Sequence, residues 1–454
     1  MTITPHAKAT KIELFNFTTP QMRTFHLTWI AFFLCFFGSF GIAPLMVYVR
    51  DELSLTKAQV GNIIIASVAI TILMRLLIGW LCDKIGPRIA YSVLLVLGSI
   101  PVMTIGLADS YTSFLLFRLA IGAIGASFVI TQYHTSVMFA PNIIGTANAT
   151  TAGWGNLGGG VTQMVMPMIF GFFVAFGFTT GLSWRYAMII PGAALFIMGI
   201  IYYYGTQDTP GGNFKDIKET YPTFQGGKKN SLSNFIMVVK DPRVWLLFLA
   251  YGACFGIELT INNIAALYYV DQFKLTPATA GLIAGLFGLM NLFARTLGGA
   301  FGDKFGIKWG LRGRVVWLAI ALAGEGICLI LFSQMNTLIL AISSMIVFSL
   351  FVQMSEGATF SVVPFINKKA IGAVSGIVGA GGNAGAVSAG FLFRGDLTYQ
   401  NALFIIGATV TVSAVFALLI RFSMAEEEEV NTELGKILPS LEKDGNLVIA
   451  KTAV

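Results

Sequence analysis

Apolar runs of about 20 residues recur along the chain from Trp29 to Phe422, and each can cross a hydrocarbon core roughly 30 Å thick. A backbone in lipid must satisfy its own polar groups, which leaves helices or closed barrels. Runs of this length belong to helices. Of the 454 residues, 56% are hydrophobic and only 11% are charged, too little charge to cover a soluble surface. The sequence therefore predicts an all-α polytopic membrane protein. Its spans read as 25–48, 58–82, 89–108, 113–140, 144–174, 185–205, 243–270, 278–302, 315–333, 337–366, 371–393 and 399–422, twelve in all. The polar stretch up to Thr24 and the length of the first run do not resemble a cleaved signal peptide.

An even number of spans places both termini on one side. With this layout 21 of the 29 basic residues fall on the side of the termini and five on the other, while Arg75, Arg118 and Arg295 lie within the membrane. The positive-inside rule then makes the termini cytoplasmic, in a plasma or inner membrane. Much of the +7 net charge is accounted for by this topology, so no nucleic-acid partner is expected. The expected organisation is a cytoplasmic segment 1–24, a six-helix bundle 25–205, a polar cytoplasmic linker 206–242, a second six-helix bundle 243–422 and a solvated acidic tail 423–454 carrying EEEE at 426–429. The linker, with Gly-Gly pairs and mixed charge, suits a flexible connection.

Several chemistries find no support. Cysteines 35, 82, 254 and 328 are scattered, and histidines 6, 26 and 134 form no cluster, so no metal site or cofactor is expected. GWGNLGGG lies inside an apolar helix and not at a strand-to-helix turn, the wrong context for a nucleotide loop. No nucleophile–base pair is apparent, and an enzyme is not expected.

The two halves repeat. RLLIGWLCDKIGPR from Arg75 aligns with RTLGGAFGDKFGIK from Arg295 at an offset of 220, and IGTANATTAGWGNLGGG from Ile144 aligns with IGAVSGIVGAGGNAGAV from Ile371 at an offset of 227. Helix 2 thus corresponds to helix 8, and helix 5 to helix 11, as in a duplicated six-helix unit. The D-K-x-G loops, with Asp83 and Asp303 as candidate gating residues, resemble the cytoplasmic signature of the major facilitator superfamily. That resemblance implies two bundles around a central site that opens alternately to each side.

An arginine at mid-membrane costs roughly 2.5–3.5 kcal/mol on insertion scales. Arg75 and Arg295 have no carboxylate three or four residues away on their own helices. Each lies eight residues before its loop aspartate, about 12 Å along a helix, which makes snorkelling hard. Asn156 and Asn383 come to a similar depth. Two unpaired cations and two amides at matching depth suggest a site for a small anion, since guanidinium forks its donors toward planar oxyanions. The competing reading pairs the arginines across helices with Glu258 or Glu356. Gly155, Gly158, Gly159, Gly382 and Gly385 read as close helix-packing surfaces that also leave room for a small ligand. Arg118 reads as structural or gating, and His134 as a hydrogen-bonded packing residue.

FVITQYHTSVMF (128–139), the helix 5 run 144–167, YGACFGIELTINN (251–263), SEGATFSVVPF (355–365) and GAGGNAGAV (379–387) together resemble the nitrate/nitrite porter family, most closely the high-affinity nitrate transporters of plants, algae, fungi and cyanobacteria. The resemblance spans about residues 25–420. It implies that Arg75 and Arg295 clamp one nitrate, that Asn156 and its repeat mate Asn383 line the site, and that Phe128 and Tyr251, the latter preferred to Phe255, wall it. It also implies nitrate and nitrite as substrates and proton symport, with Glu258 and Glu356 as coupling candidates. These two acids distinguish the chain from the bacterial exchangers of the family, and a short linker distinguishes it from the fungal members. Glu325 is a third carboxylate in an apolar helix. A functional monomer is expected, with an accessory subunit left open. The alternatives are proton-free nitrate/nitrite exchange, another small-anion or organic-phosphate antiporter, or a nitrate sensor that does not transport.

Overall fold

The computed structural model describes residues 8–216, 231–275, 277–393 and 397–443. Nine stretches among these are both long and apolar enough to cross a membrane. One of them, Leu282–Ser333, holds two spans folded at a break. The helices Lys57–Ile85 and Ile371–Leu392 complete twelve. In chain order they are α1 (Pro20–Leu45), α2 (Lys57–Ile85), α3 (Pro87–Leu107), α4 (Tyr111–Met138), α5 (Ile144–Ala175), α6 (Thr180–Gly205), α7 (Pro242–Phe273), α8 (277–308), α9 (311–333), α10 (Leu338–Phe365), α11 (Ile371–Leu392) and α12 (Tyr399–Ala417). The chain is an all-α polytopic membrane protein with two six-helix halves.

Local chemistry sets many of the helix ends. Thr56, Thr179 and Thr398 each accept the backbone N–H three residues on, at the starts of α2, α6 and α12, filling an otherwise orphaned donor. Pro20, Pro87 and Pro242 occupy first-turn positions, where a missing N–H costs nothing. Between α8 and α9 the expected loop 303–314 is instead helical on both sides of a short break, where Gly310 takes φ 65°. Only glycine adopts such a backbone readily.

The two sequence repeats turn out to be the two sides of one contact made twice. Gly79 on α2 meets Gly372 on α11 backbone to backbone, and Gly299 on α8 meets Gly145 on α5 in the same way. One turn nearer the cytoplasm, Asp83 accepts the Gly372 and Ala373 N–H groups at 3.2 and 3.0 Å. Asp303 accepts those of Gly145 and Thr146 at 3.0 and 2.6 Å, and also pairs with Arg314 at 2.6 Å. Neither α5 nor α11 has a side-chain cap of its own, so each receives its cap from the opposite half. These caps hold the halves together at this end of the bundle. Since losing one cap to Ala costs about 1 kcal/mol, the Asp83→Ala/Asp303→Ala double variant should raise maleimide labelling, from the side of these caps, of a cysteine placed at Ser375 by at least ~10-fold. Unchanged labelling would show that the caps do not hold the halves closed.

The acidic tail differs from expectation. Met424–Lys443 forms a helix, α13, that docks on the end of the bundle at Ile144, Leu311 and Phe365 instead of projecting into solvent. Glu426 takes a forked pair of bonds from Arg243 at 2.9 and 3.1 Å. Glu427 caps the start of α9 at the Leu311 and Arg312 N–H groups. Lys368 reaches Glu429 and Glu433, both at 3.1 Å. Between these contacts Val430 and Leu434 are buried in a cluster with Ile144, Leu311 and Phe365. Of the expected linker, residues 217–230 lie outside the described residues, and Ser231–Lys240 is a short helix. Its first part is packed on the N-terminal half, where Asp208 accepts the Arg88 N–H at 3.0 Å.

Candidate functional site

Arg75 and Arg295 come together at the centre of the molecule, 2% and 1% exposed. Both guanidinium groups lie over the Phe128 ring of α4. The Arg75 guanidinium carbon is 5.0 Å from its centroid and that of Arg295 is 5.7 Å away, both within cation–π range. Phe128 is nearly parallel to Tyr251 and Phe255 of α7, with centroids 5.5 and 6.0 Å away. Phe360 of α10 closes the box edge-on, 4.9 Å from Phe128. Phe255 also lies 5.2 Å from the Arg75 guanidinium. Of the two helix 7 aromatics, Tyr251 contacts Arg295 and Phe255 lies against Arg75.

The two arginines are held differently. Arg75 forms no ion pair among the described residues; its Nη1 donates to the Gly379 carbonyl of α11 and its Nε to the Gly125 carbonyl of α4 at 3.3 Å. A 3₁₀ stretch, Ala123–Ala126, interrupts α4 at that point, a usual mark of a hinge or functional site. Arg295 is ion-paired through Nη1 with Glu356 of α10, and its Nη2 donates to the Tyr251 hydroxyl at 3.0 Å. Glu258 of α7 stands 3.8 Å from the same guanidinium. The expectation of two unpaired cations is thus corrected at Arg295: a pair between helices offsets its burial, as the competing reading had it. One donor, Arg295 Nε, and one acceptor, Glu356 Oε1, remain without partners among the described residues.

The asparagines divide. Asn156 Nδ2 donates to Glu258 at 3.3 Å, and Asn291, unremarked in sequence as a site residue, donates to the other oxygen of the same carboxylate at 2.7 Å. Asn291 sits in a second 3₁₀ stretch, Met290–Leu292, that interrupts α8 just before Arg295. Asn383 instead donates to the Val68 carbonyl of α2 at 3.2 Å, seven residues before Arg75, and makes no bond to either arginine.

A Cβ on Gly155 would meet the Phe32 ring, one on Gly158 the Phe33 carbonyl, one on Gly382 the Phe255 side chain and one on Gly385 the Gly252 carbonyl. Gly159 is less crowded than these, but a Cβ there would still stand 3.3 Å from the Phe36 ring, which would have to give slightly. Four of the five glycines thus mark close helix contacts. Arg118 donates to the Ser39 carbonyl at 2.8 Å, tying α4 to α1. His134 is bonded on both ring nitrogens, to Tyr202 at 2.7 Å and to the Gln207 carbonyl at 2.8 Å. Among the described residues no group of three His, Cys, Asp or Glu side chains could hold a metal ion.

Two six-helix halves closed around buried arginines form the architecture of a secondary transporter, and the chain matches the Major Facilitator Superfamily model over residues 28–366 and 252–452. It superposes on the proton:xylose symporter XylE with a TM-score of 0.67 at 13% identity, over 87% of this chain and 95% of that one. This likeness shows the fold alone. The chain is 42% identical to high affinity nitrate transporter 2.5 of Arabidopsis thaliana, over 86% of its own length and 78% of that protein. It is 37% identical to nitrate transporter 2.2 of Chlamydomonas reinhardtii, over 87% and 77%, and 30% identical to the nitrate/nitrite transporter NrtP of Picosynechococcus, over 83% and 85%. The chain belongs to the major facilitator superfamily and, within it, to the family of these nitrate transporters.

Proposed function

We propose that this chain carries nitrate, and nitrite, across a cell membrane by alternating access, with the anion held between Arg75 and Arg295 against the aromatic box. The reading is supported by two guanidinium groups converging on one ring, in a chain whose relatives are named nitrate transporters. The termini are cytoplasmic by the positive-inside rule. The two bundles, 25–205 and 243–422, rock about the site within one monomer, with an accessory chain left open.

Glu356 gives the site a way to couple anion to proton. Arg75 and Arg295 contribute two positive charges, and Glu258 and Glu356 two negative ones. Nitrate competes with Glu356 for the Arg295 fork. A proton on Glu356 releases that fork and cancels the added negative charge. Glu258 is satisfied by two amide donors and serves as a fixed counter-ion, which makes Glu356 the better carrier of the two coupling candidates. Nitrate binding should therefore strengthen as pH falls. Glu356→Gln, a permanent mimic of the protonated acid, should bind nitrate with a flat pH profile. It should retain nitrate counterflow in proteoliposomes and lose at least ~10-fold in pH-driven accumulation, a change of about 1.4 kcal/mol. Wild-type accumulation by Glu356→Gln would remove Glu356 from the coupling and favour exchange without protons. A carrier is separated from a sensor by the flux itself.

A further inference from the structure

One nitrogen of Arg295 faces two carboxylates. Glu356 is paired with Nη1, and Glu258 Oε2 stands 3.8 Å from the same atom, inside ion-pair range but beyond hydrogen-bond reach. Glu258 is buried at 3% exposure, so water does not hold it off the arginine. Amides do: Asn156 of α5 donates to Oε2 at 3.3 Å and Asn291 of α8 to Oε1 at 2.7 Å. The Asn291 bond is the shorter of the two, as expected of a strong bond to a charged acceptor. Its geometry comes from the break in α8. Asn291 is buried in the middle of the 3₁₀ stretch Met290–Leu292, and Phe293 follows with φ −134°. The α5 helix of the other half braces this stretch. The Trp154 indole donates to the Leu292 carbonyl at 3.2 Å, and a Cβ on Gly153 would stand 2.6 Å from the Asn291 carbonyl oxygen. The repeat-related position in α2, 220 residues earlier, is Thr71. Its hydroxyl donates to the Gly122 carbonyl at 2.7 Å, so this arrangement belongs to Arg295 and not to the repeat.

We propose that Asn291 is a positioning residue for nitrate: it holds Glu258 away from Arg295, so that the anion has one carboxylate to displace, Glu356, and not two. This inference rests on the reading of Arg75 and Arg295 as the nitrate clamp. A carboxylate in a dry interior must find donors or a counter-ion. With Asn291 in place, each oxygen of Glu258 has its own amide. Without it Oε1 loses its donor, and Arg295 is the one cation within ion-pair range of Glu258 among the described residues. The freed acid closes on the guanidinium and takes the donors that nitrate needs. Asn291 thus sets the affinity of the site without touching the anion.

The test is a double-mutant cycle on the whole protein: wild type, Asn291→Leu, Glu258→Gln and Asn291→Leu/Glu258→Gln. Nitrate binding is measured by calorimetry and nitrate counterflow in proteoliposomes. Leucine keeps the bulk of asparagine and removes its amide. Asn291→Leu should weaken nitrate binding by at least roughly 10-fold, and in counterflow the loss should fall on half-saturation and not on the maximal rate. In the Glu258→Gln background the same substitution should cost no more than about 2-fold, because a neutral amide does not close on the arginine as an ion. Wild-type affinity in Asn291→Leu overturns the proposal and leaves the clamp reading standing. An equal loss in both backgrounds also overturns it, since Asn291 then acts on the anion or on α8 itself. If Asn291→Leu does not fold, a folded Asn291→Leu/Glu258→Gln supports the proposal by tracing the fault to the unheld carboxylate. Failure of both to fold overturns it and makes Asn291 a structural residue of the break. A folded wild type that binds no nitrate overturns the clamp reading, and this proposal with it.

Discussion

If nitrate is held as proposed, Arg75→Lys should lower nitrate affinity by roughly 100-fold or more while the protein remains folded. Arg75 reaches two helices at once, the Gly379 carbonyl of α11 and the Gly125 carbonyl of α4, with its flat face over Phe128 and Phe255. A lysine keeps the charge but presents it as a compact, strongly hydrated point, without the fork and without a stacking plane. Arg295→Lys has a similar effect by a different route. Its ammonium can stay with Glu356 but cannot also hold the Tyr251 hydroxyl and offer a further donor to an anion. Binding to the purified variants by calorimetry, beside their thermal stability, distinguishes a ligand clamp from a structural ion pair. A structural pair predicts lower stability with intact affinity. Near-normal binding by a folded Arg75→Lys/Arg295→Lys protein would end the clamp.

Gly385→Val and Gly158→Val each reduce transport to below roughly a hundredth of wild type, because small residues set how closely membrane helices approach. The new side chain would stand where the Gly252 carbonyl lies in one case and the Phe33 carbonyl in the other. Both obstacles are backbone, which cannot turn aside as a flexible side chain can. Insertion, governed by hydropathy, persists. Gly160→Ala is the matched control, since nothing lies within 4 Å of that position, and it should transport normally. Surface abundance by biotinylation together with nitrate uptake checks the set. Wild-type uptake by both valine variants would show that these contacts can loosen without affecting the cycle.

The spans, the duplication and the buried arginines were legible because each is a matter of local composition or of spacing along the chain. The paired motifs could be aligned before anything indicated that they touch, and they proved to be the two faces of the Gly79–Gly372 and Gly299–Gly145 contacts. The partner of Arg295 was not legible to the same degree. Glu356 is on another helix, and the rotation of α10 about its axis, which decides whether Glu356 or its neighbours face the site, leaves no trace in spacing. The same holds for Phe255 and Phe360: in a helix apolar all round, no periodic signal separates a residue facing a ligand from one facing lipid. The 3₁₀ interruptions of α4 and α8 escaped because no proline stands there to announce them. Asn383 was placed in the site by symmetry, and there the two halves differ: α5 reaches a carboxylate, and α11 only a backbone carbonyl. The acidic tail misled for a simple reason. Its four consecutive glutamates read as solvated, whereas their partners, Arg243, Lys368 and the start of α9, come from three separate parts of the chain.

The docking of that tail has a consequence for how the molecule can be observed. Among the described residues the ion pairs of α13 go to the C-terminal half, while Ile144 in its apolar cluster and Lys8, whose charge faces Glu433, belong to the N-terminal half. If the halves part at this end as proposed, the ion pairs of the tail keep it with the C-terminal half, and Val430 and Leu434 are uncovered along the seam with Ile144. A solvatochromic dye at Leu434 would turn from a dry to a wet signal once per cycle, far from the nitrate and without touching it. The C-terminus of this chain is thus a built-in clock hand for the turnover of a site buried in the membrane.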